Sequence, residues 1–385
     1  MITEKRIQQL IQQGENVNIE LKNAAVRAES LAREIVSLSN TLGGVILIGI
    51  EDNGEVTGIT RENVEEWVAN ISRNNMIPST QPTISQVTID NKKIYHIPVE
   101  KGQHKPYQTT DGRFWVRVGS TNRQATKEEL SRLFQEAGLV HYDISPVART
   151  SRKSLDDQKL HDYFHTYYQL PFHELSAQEQ EQILRNTDIL QENDGELQCS
   201  VGGLLIFGKE PQRYLPQSNI TFAVFKGKEL TDELIDKKEL KGTLPELIDQ
   251  AAALAKVFIP VSSTVEGVKR EEKQLISSKT LREAIVNAVC HRDYSLYQRR
   301  NQIYIFSNRI EIRSAGKLPN TLTLEKIKYG NSAARNPFLL QYLDNMRFID
   351  GLGRGIPSII KEMGDRAVWE EIGVTLSLSL YLKLE

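Results

Sequence analysis

The 385-residue sequence has little of several features that define special protein classes. Its 2 cysteines, Cys199 and Cys290, show no metal-ligand spacing, which excludes a disulfide scaffold and indicates a reducing compartment. A formal net charge of −2 excludes a global basic field, so any nucleic-acid binding must use local patches. The longest apolar run, residues 45–50, is too short to span a membrane, and the N-terminus does not read as a signal peptide. We therefore expect a cytoplasmic protein of two or three domains with no membrane association.

A polar row on one predicted helix is the most informative feature that is present. Residues 281–293 place Glu283, Asn287 and His291 at intervals of four, which puts all three on one helix face. A carboxylate, an amide oxygen and an imidazole in one row suit a water molecule and a hard cation such as Mg²⁺.

A glycine-rich turn lies sixty residues further along the chain. Gly351, Gly353 and Gly355 alternate with other residues directly before an apolar helix at 356–363. Backbone amides without side-chain hindrance, at the positive end of a helix dipole, bind phosphate groups. The pattern therefore predicts a phosphate-binding turn.

Together these two motifs resemble the Bergerat-type ATP-binding fold of gyrase, histidine-kinase and chaperone ATPases. The resemblance implies ATP and Mg²⁺ as cofactors, with Asn287 on the cation and Glu283 positioning a water molecule or the cation shell. Ser314 stands where the family has the aspartate that reads adenine, and Gly316 is the glycine of the same box. Either another residue reads adenine, or nucleotide binding is weakened.

Three further interpretations concern the same site. Arg335 or Arg354 is expected to neutralise the γ-phosphate, and residues 331–337 are expected to form a lid. His291 has two open interpretations: it supports Asn287 or Glu283 from behind, or it packs the helix against its neighbours.

Three carboxylates near the N-terminus form a second candidate site. Glu15 precedes a predicted strand, Glu20 lies on it, and Asp52 ends the strand that follows a Gly-Gly pair. Such acids at one sheet edge would bind Mn²⁺ or Mg²⁺ and activate water for phosphodiester cleavage. Spacing alone fits solvated acids better, and Glu51 is an equal candidate for the third ligand.

The first 130 residues resemble the Schlafen-type AlbA domain. The motifs that carry the resemblance lie, in the family order, at 15–22, 37–44, 48–54, 105–107 and 115–126. The resemblance implies a DNA-binding module, as in bacteria, or an RNA-cutting site of two Glu and one Asp, as in animal Schlafens.

Five cations are candidates for nucleic-acid contacts in this region. Alternation along 113–118 places Arg113 and Arg117 on one strand face, which we expect to be exposed. Basic side chains on an open face contact phosphates. The full set is Lys22, Lys105, Arg113, Arg117 and Arg123.

The C-terminal half also resembles the RecG C-terminal-like ATP-binding region that is often fused to this AlbA domain. The matching motifs are 202–209, 211–213, 283–294, 314–319, 330–332, 335–337 and 351–355. No Gly-x-x-x-x-Gly-Lys-Ser/Thr loop is present, which argues against a motor helicase.

The predicted architecture is α+β in three parts. A mixed α/β AlbA-like domain covers 1–146, a linker with a middle α/β segment covers 147–265, and a Bergerat-type α/β sandwich covers 266–385. Within these parts we predict a helix at 28–41, strands at 201–207 and 219–225, a hairpin at 302–313 and a final strand at 374–384.

Three functions fit the sequence. The first is an ATP-binding regulator that interacts with DNA or RNA and works as a homo-oligomer. The second is a Mg²⁺- or Mn²⁺-dependent endonuclease gated by ATP, in phage defence. The third is a nucleotide-sensing scaffold that has lost hydrolysis.

Overall fold

The computed structural model describes residues 2–259, 261–266, 269–319, 322–349 and 353–383, of which 261–266 and 269–274 are described by their backbone alone. The chain divides into two compact units, Met1–Val140 and His141–Glu385. Helices and mixed sheets occur in both, which confirms the predicted α+β class. None of the helices in the described ranges is long and apolar enough to cross a membrane.

The first unit is built around one four-stranded sheet. Its order is β1-β2-β5-β4, with β1 parallel to β2 and the other pairs antiparallel. The helices are α1 (Glu4–Gln13), α2 (Ala28–Asn40), α3 (Val64–Asn74) and α4 (Lys127–Glu136). The strands are β1 (Ile19–Lys22), β2 (Gly44–Ile48), β3 (Met76–Ile77), β4 (Ser85–Ile89), β5 (Lys92–Val99), β6 (Gln108–Thr109), β7 (Trp115–Val118) and β8 (Thr121–Gln124).

Helix α2 forms as its apolar period predicts. Leu31, Ile35 and Leu38 recur on one face and are almost completely buried. The helix ends before Gly43, whose φ of +74° and approach to the Lys101 amide (2.7 Å from an added Cβ) require a residue without a side chain. The chain then enters β2 beside β1.

The second unit contains the middle segment and the C-terminal region in one hydrophobic core. The helices are α5 (Asp157–Tyr168), α6 (Ala177–Asn186), α7 (Val201–Phe207), α8 (Pro211–Tyr214), α9 (Leu244–Phe258), α10 (Ser278–Cys290), α11 (Leu324–Lys328), α12 (Pro337–Asn345) and α13 (Gly355–Met363). The strands are β9 (Leu190–Asn193), β10 (Glu196–Cys199), β11 (Ile220–Phe225), β12 (Leu234–Leu240), β13 (Val261–Glu266), β14 (Lys269–Gln274), β15 (Asn301–Ile305), β16 (Arg309–Ala315), β17 (Ala367–Ile372) and β18 (Thr375–Tyr381).

A six-stranded sheet organises this second unit. Its order is β12-β11-β15-β16-β18-β17, and β11 with β15 is the parallel pair. Helix α10 contacts α9, α13 and strand β16. The predicted hairpin forms as β15 and β16, and the predicted final strand forms as β18. The strand predicted at 219–225 joins the same sheet as β11, so residues on both sides of position 265 build one sheet.

The strand predicted at 201–207 is wrong, because these residues form helix α7. Ser200 caps the helix by accepting a hydrogen bond from the Gly203 amide at 2.9 Å. All seven residues are buried, and a Cβ on Gly202 would collide with the Phe338 ring. A short run that is apolar on every side fits a buried helix as well as a buried strand.

Asp143 is a carboxylate in the interior of the second unit. Its Oδ2 accepts from the Leu339 amide (3.3 Å) in the first turn of α12. Its Oδ1 has no hydrogen-bond partner among the described residues. Burial raises the pKa of Asp143 to about 6.

We expect Asp143 to make stability depend on pH between its two pKa values. The unfolded chain loses this proton near pH 3.8, whereas the folded protein keeps it until about pH 6. The free energy of unfolding therefore falls as pH rises through this window, by at most about 3 kcal/mol. Urea unfolding of the wild type and of Asp143→Asn from pH 4 to pH 7 measures the effect. The substitution should remove this part of the slope, and equal slopes would contradict the expectation.

Candidate functional site

Helix α10 presents the predicted carboxylate and amide as one polar pair. Asn287 donates from Nδ2 to the Glu283 carbonyl (2.8 Å) and to Glu283 Oε1 (3.0 Å). His291 follows as the C-cap residue of the helix. Burial and the nearby charge of Arg335 lower the pKa of His291 to about 4, so its imidazole is neutral at pH 7. All three residues of the predicted row line the same cavity.

That cavity has a volume of about 420 Å³, within the range of small-molecule sites. Its polar lining includes Glu283, Asn287, His291, Ser314 and Lys317. The sheet and helix α13 contribute apolar side chains, namely Ile312, Ile356, Ile359, Trp369, Leu376 and Leu378. The lining thus combines a small polar group with a large apolar surface, as ligand sites usually do.

The glycine turn lies directly against the polar pair. A Cβ on Gly355, the first residue of α13, would collide with Glu283 Oε1 and lie 3.1 Å from Asn287 Nδ2. Gly353 has a φ of +67°, and a Cβ there would lie 2.7 Å from the Gly330 carbonyl oxygen. The two motifs that are sixty residues apart in sequence therefore meet, and only a residue without a side chain permits this approach at Gly355.

Ser314 and Gly316 lie beside the cavity. Their contacts are made with other parts of the protein. The buried Ser314 hydroxyl donates to the Ala288 carbonyl of α10 at 2.7 Å. Gly316 has a φ of +120°, and a Cβ there would collide with the Arg335 guanidinium and lie 2.8 Å from Asp293 Cβ. The Ser314 hydroxyl thus joins the sheet to α10.

The two arginines expected near a γ-phosphate lie in different surroundings. Arg335 donates from one terminal nitrogen to the His291 carbonyl (2.8 Å) and from the other to the Lys317 carbonyl. Arg354 is exposed and is the N-cap residue of α13, inside the glycine turn. Gly351 lies outside the described residues.

Two residues to which the sequence patterns assigned no role at this helix hold the ends of α10. Glu362 accepts from the Ser277 amide (2.7 Å) and from Thr280 Oγ1 (2.6 Å) at the N-terminal end. Asn336 donates to two carbonyls at the C-terminal end, both at 2.8 Å. The position of Asn336 directly before a proline is a usable signal for a helix boundary. Glu362 gives no local signal, because its partners are more than eighty residues away.

In the first unit, Glu20 is buried and surrounded by positive charge. It forms ion pairs with both Lys22 and Arg117. Glu34 lies 3.4 Å from Arg117 Nη1 and shares this network. Burial lowers the pKa of Lys22, but the hydrogen bond and charge of Glu20 outweigh it and raise that pKa. The network is therefore an internal assembly of opposite charges.

The other two predicted metal ligands are placed differently from Glu20. Glu15 Oε1 accepts from the Leu21 amide (3.2 Å) and lies 3.8 Å from Lys22 Nζ. Burial and the charge of Glu20 raise the pKa of Glu15, and Asp52 is close enough to add to that effect. Asp52 is exposed in the turn after β2. Across the described ranges, no three His, Cys, Asp or Glu side chains are grouped to hold a metal ion.

The structure corrects two of the five expected nucleic-acid contacts. Lys105 is buried and pairs with Glu136 at 3.0 Å. Arg117 is buried and donates to two carbonyls in the segment 16–19, at 2.7 and 3.0 Å. Both side chains are buried, and strand β7, which carries Arg117, contacts α2. Lys22 is half-buried in the Glu20 network, whereas Arg113 and Arg123 lie at the surface.

Comparison with known protein families confirms the predicted fusion. Residues 15–126 match the family described as "Schlafen, AlbA_2". Residues 299–371 match the family described as "Putative ATP-dependent DNA helicase recG C-terminal". Residues 131–221 match a domain of unknown function, DUF8451. The first two matches point to a nucleic-acid-related, ATPase-like protein.

No curated protein matches the sequence. Among solved structures, the DIP2311 protein from Corynebacterium diphtheriae is 20% identical, over 98% of this chain and 79% of that chain, with a TM-score of 0.48. The N-terminal domain of a RecG-related protein from Nitrosomonas europaea is 20% identical, over 31% of this chain and 92% of that domain, with a TM-score of 0.25.

The Glu20 network yields a stability prediction. Arg117→Ala leaves Glu20 and Glu34 buried without their main counter-charge, so the free energy of unfolding should fall by about 3–5 kcal/mol. The matched control is Arg113→Ala, since Arg113 is exposed and pairs with Asp111 at the surface, where the change should stay within about 0.5 kcal/mol. Urea unfolding of both variants measures the difference. Equal losses would show that the buried pairing of Arg117 does not stabilise this unit.

Proposed function

We propose that this protein is an ATP-binding, nucleic-acid-interacting regulator. It binds Mg·ATP in the cavity of the second unit, and the bound nucleotide changes how strongly the AlbA-like domain holds nucleic acid. One observation carries the proposal, namely the approach of the Gly355 backbone to Glu283 and Asn287. The matches to an AlbA_2 model and a recG C-terminal model support the pairing of the two activities.

The residues of the cavity fit the phosphate end of such a ligand. The first turn of α13 offers backbone amides at the positive end of a nine-residue helix. Glu283 and Asn287 offer the oxygen ligands that Mg²⁺ prefers, next to that turn. When bound, Mg²⁺ neutralises phosphate charge. Lys317 at the cavity wall supplies a further positive charge toward an anionic ligand.

The apolar part of the lining fits the base. Ile312 and Leu378 on the sheet and Ile359 on α13 form surfaces on which a planar base can pack. The Ser314 hydroxyl is bound to the Ala288 carbonyl, so it supports the wall of the cavity. Recognition of the base in this proposal therefore relies on shape and apolar contact.

The same contacts favour a regulator over the endonuclease alternative. A catalytic carboxylate that holds Mg²⁺ must offer its oxygens to the ion. In this structure Glu20 is buried and ion-paired with Lys22 and Arg117, and Asp52 lies exposed in a turn. Arg113 and Arg123 remain the surface cations from which a nucleic-acid contact is proposed.

The glycine contact gives the first test. Gly355→Ala should displace the Glu283 carboxylate while leaving the fold intact, because the end of a glutamate side chain can move. We expect the affinity for Mg·ATP to fall about tenfold or more, measured by isothermal titration calorimetry. In the wild type, Mg·ATP should shift the affinity for labelled tRNA, single-stranded DNA or duplex DNA at fixed salt. The shift should be lost in the variant.

The control for that experiment is Lys361→Ala, an exposed position on the same helix, which should keep both the ATP affinity and the shift. ATP binding without any shift in nucleic-acid affinity would rule out regulation. Cleavage of the nucleic acids by the wild type, absent in Glu20→Ala, would favour the endonuclease.

Glu283 gives a second test, which separates hydrolysis from binding alone. If Glu283 positions the attacking water, Glu283→Gln should still bind Mg·ATP but release phosphate about 10²–10⁴-fold more slowly. A coupled phosphate-release assay on the wild type and the variant measures the rates. No phosphate release from the wild type would instead identify a nucleotide-sensing scaffold.

A further inference from the structure

The C-terminal end of α10 is capped by two consecutive residues from another part of the chain. Asn336 donates from Nδ2 to the carbonyls of Cys290 and Arg292, and Arg335 donates to the carbonyl of His291 between them. The last carbonyls of a helix lack partners within the helix, and a positive charge there is stabilising. Arg335 and Asn336 thus donate hydrogen bonds to three consecutive carbonyls, those of residues 290–292.

Arg335 also connects the helix to the sheet. Its second terminal nitrogen donates to the carbonyl of Lys317, in the turn that follows β16. A Cβ on Gly316 would occupy the place of the guanidinium, so the turn is shaped around it. The planar guanidinium therefore bridges the end of α10 and a wall of the cavity.

The residues just before Arg335 form part of the cavity wall. Residues 330–334 line it, and we call 329–336 the cover segment. At its start, Gly330 approaches Gly353 of the glycine turn closely, and Tyr329 is 88% exposed. At its end, Asn336 is 1% exposed and Pro337 begins α12. The cover segment is thus held against the glycine turn at one end and against α10 at the other.

We propose that Arg335 and Asn336 are positioning residues that couple the cover segment to α10. The proposal rests on the proposed function, in which the cavity takes Mg·ATP. Glu283 and Asn287 lie on the helix that Arg335 and Asn336 cap. A ligand held by that helix therefore also fixes the C-terminal end of the cover segment, where Arg335 and Asn336 lie. This role replaces the expected contact of Arg335 with a γ-phosphate, because both terminal nitrogens already donate to carbonyls.

A fluorescent reporter on the cover segment tests the coupling. Tyr329→Cys is labelled with an environment-sensitive maleimide dye. Cys199 and Cys290 are buried, and burial raises the pKa of Cys199 to about 11 and that of Cys290 further, so neither should react at neutral pH. The dye signal is titrated with Mg·ATP while calorimetry reports binding independently.

The variants separate positioning from charge. In the labelled wild type we expect a saturable dye response to Mg·ATP. Arg335→Ala and Asn336→Ala should lose about four-fifths of that amplitude at saturating Mg·ATP. Arg335→Lys keeps the charge and the length but cannot form the two-carbonyl bridge, so it should lose the amplitude as well. It is also the variant least liable to unfold.

Arg309→Ala is the matched control. Arg309 also donates to a backbone carbonyl, that of Lys228 (2.7 Å), but it does not line the cavity. This variant should lose stability and keep the full dye response. A loss of amplitude in Arg309→Ala equal to that in Arg335→Ala would assign the effect to stability and overturn the coupling.

Two further outcomes distinguish the failure of the inference from that of the proposed function. Full amplitude in Arg335→Ala and Asn336→Ala, or wild-type amplitude restored by Arg335→Lys, overturns the coupling while ATP binding stands. No calorimetric binding of Mg·ATP to the wild type overturns the proposed function, and the coupling falls with it.

Discussion

The close approach of one backbone to one side chain shapes the polar wall of the cavity in the second unit. Helix α13 begins at Gly355 directly on the Glu283 carboxylate, a distance that no residue with a side chain allows. Glu362 contacts one end of α10 and Asn336 contacts the other. The helix that carries the polar wall of the cavity is therefore held at both ends.

Much of this site follows from sequence patterns. The four-residue interval of Glu283 and Asn287 places them on one helix face, and the alternate glycines mark a tight turn before a helix. The resemblance to the Bergerat-type fold predicts that they meet, and Gly355 does lie against Glu283 and Asn287. The hairpin β15–β16 follows from alternation in the same way. The run 201–207 fails because hydrophobicity without a period does not distinguish a buried helix from a strand.

The cations of the first unit show why other side chains could not be placed. Arg117 and its partner Glu34 are 83 residues apart, and Lys105 and Glu136 are 31 apart. Local alternation describes the two faces of a strand but not which face another element covers. Arg117 is therefore buried although its strand reads as half-exposed. The proline after Asn336 marks a helix boundary, but the contacts of Asn336 with the end of a distant helix do not follow from that local signal.

The strand order of the six-stranded sheet sets how much of the chain the second unit needs. The recG C-terminal match spans 299–371, yet strands β11, β12 and β18 of the same sheet lie outside it. A fragment limited to the match would leave the backbone amides and carbonyls of β15 and β16 without strands they pair with, inviting edge-to-edge association. A transplantable piece that keeps the sheet intact must therefore begin upstream of β11 and end after β18.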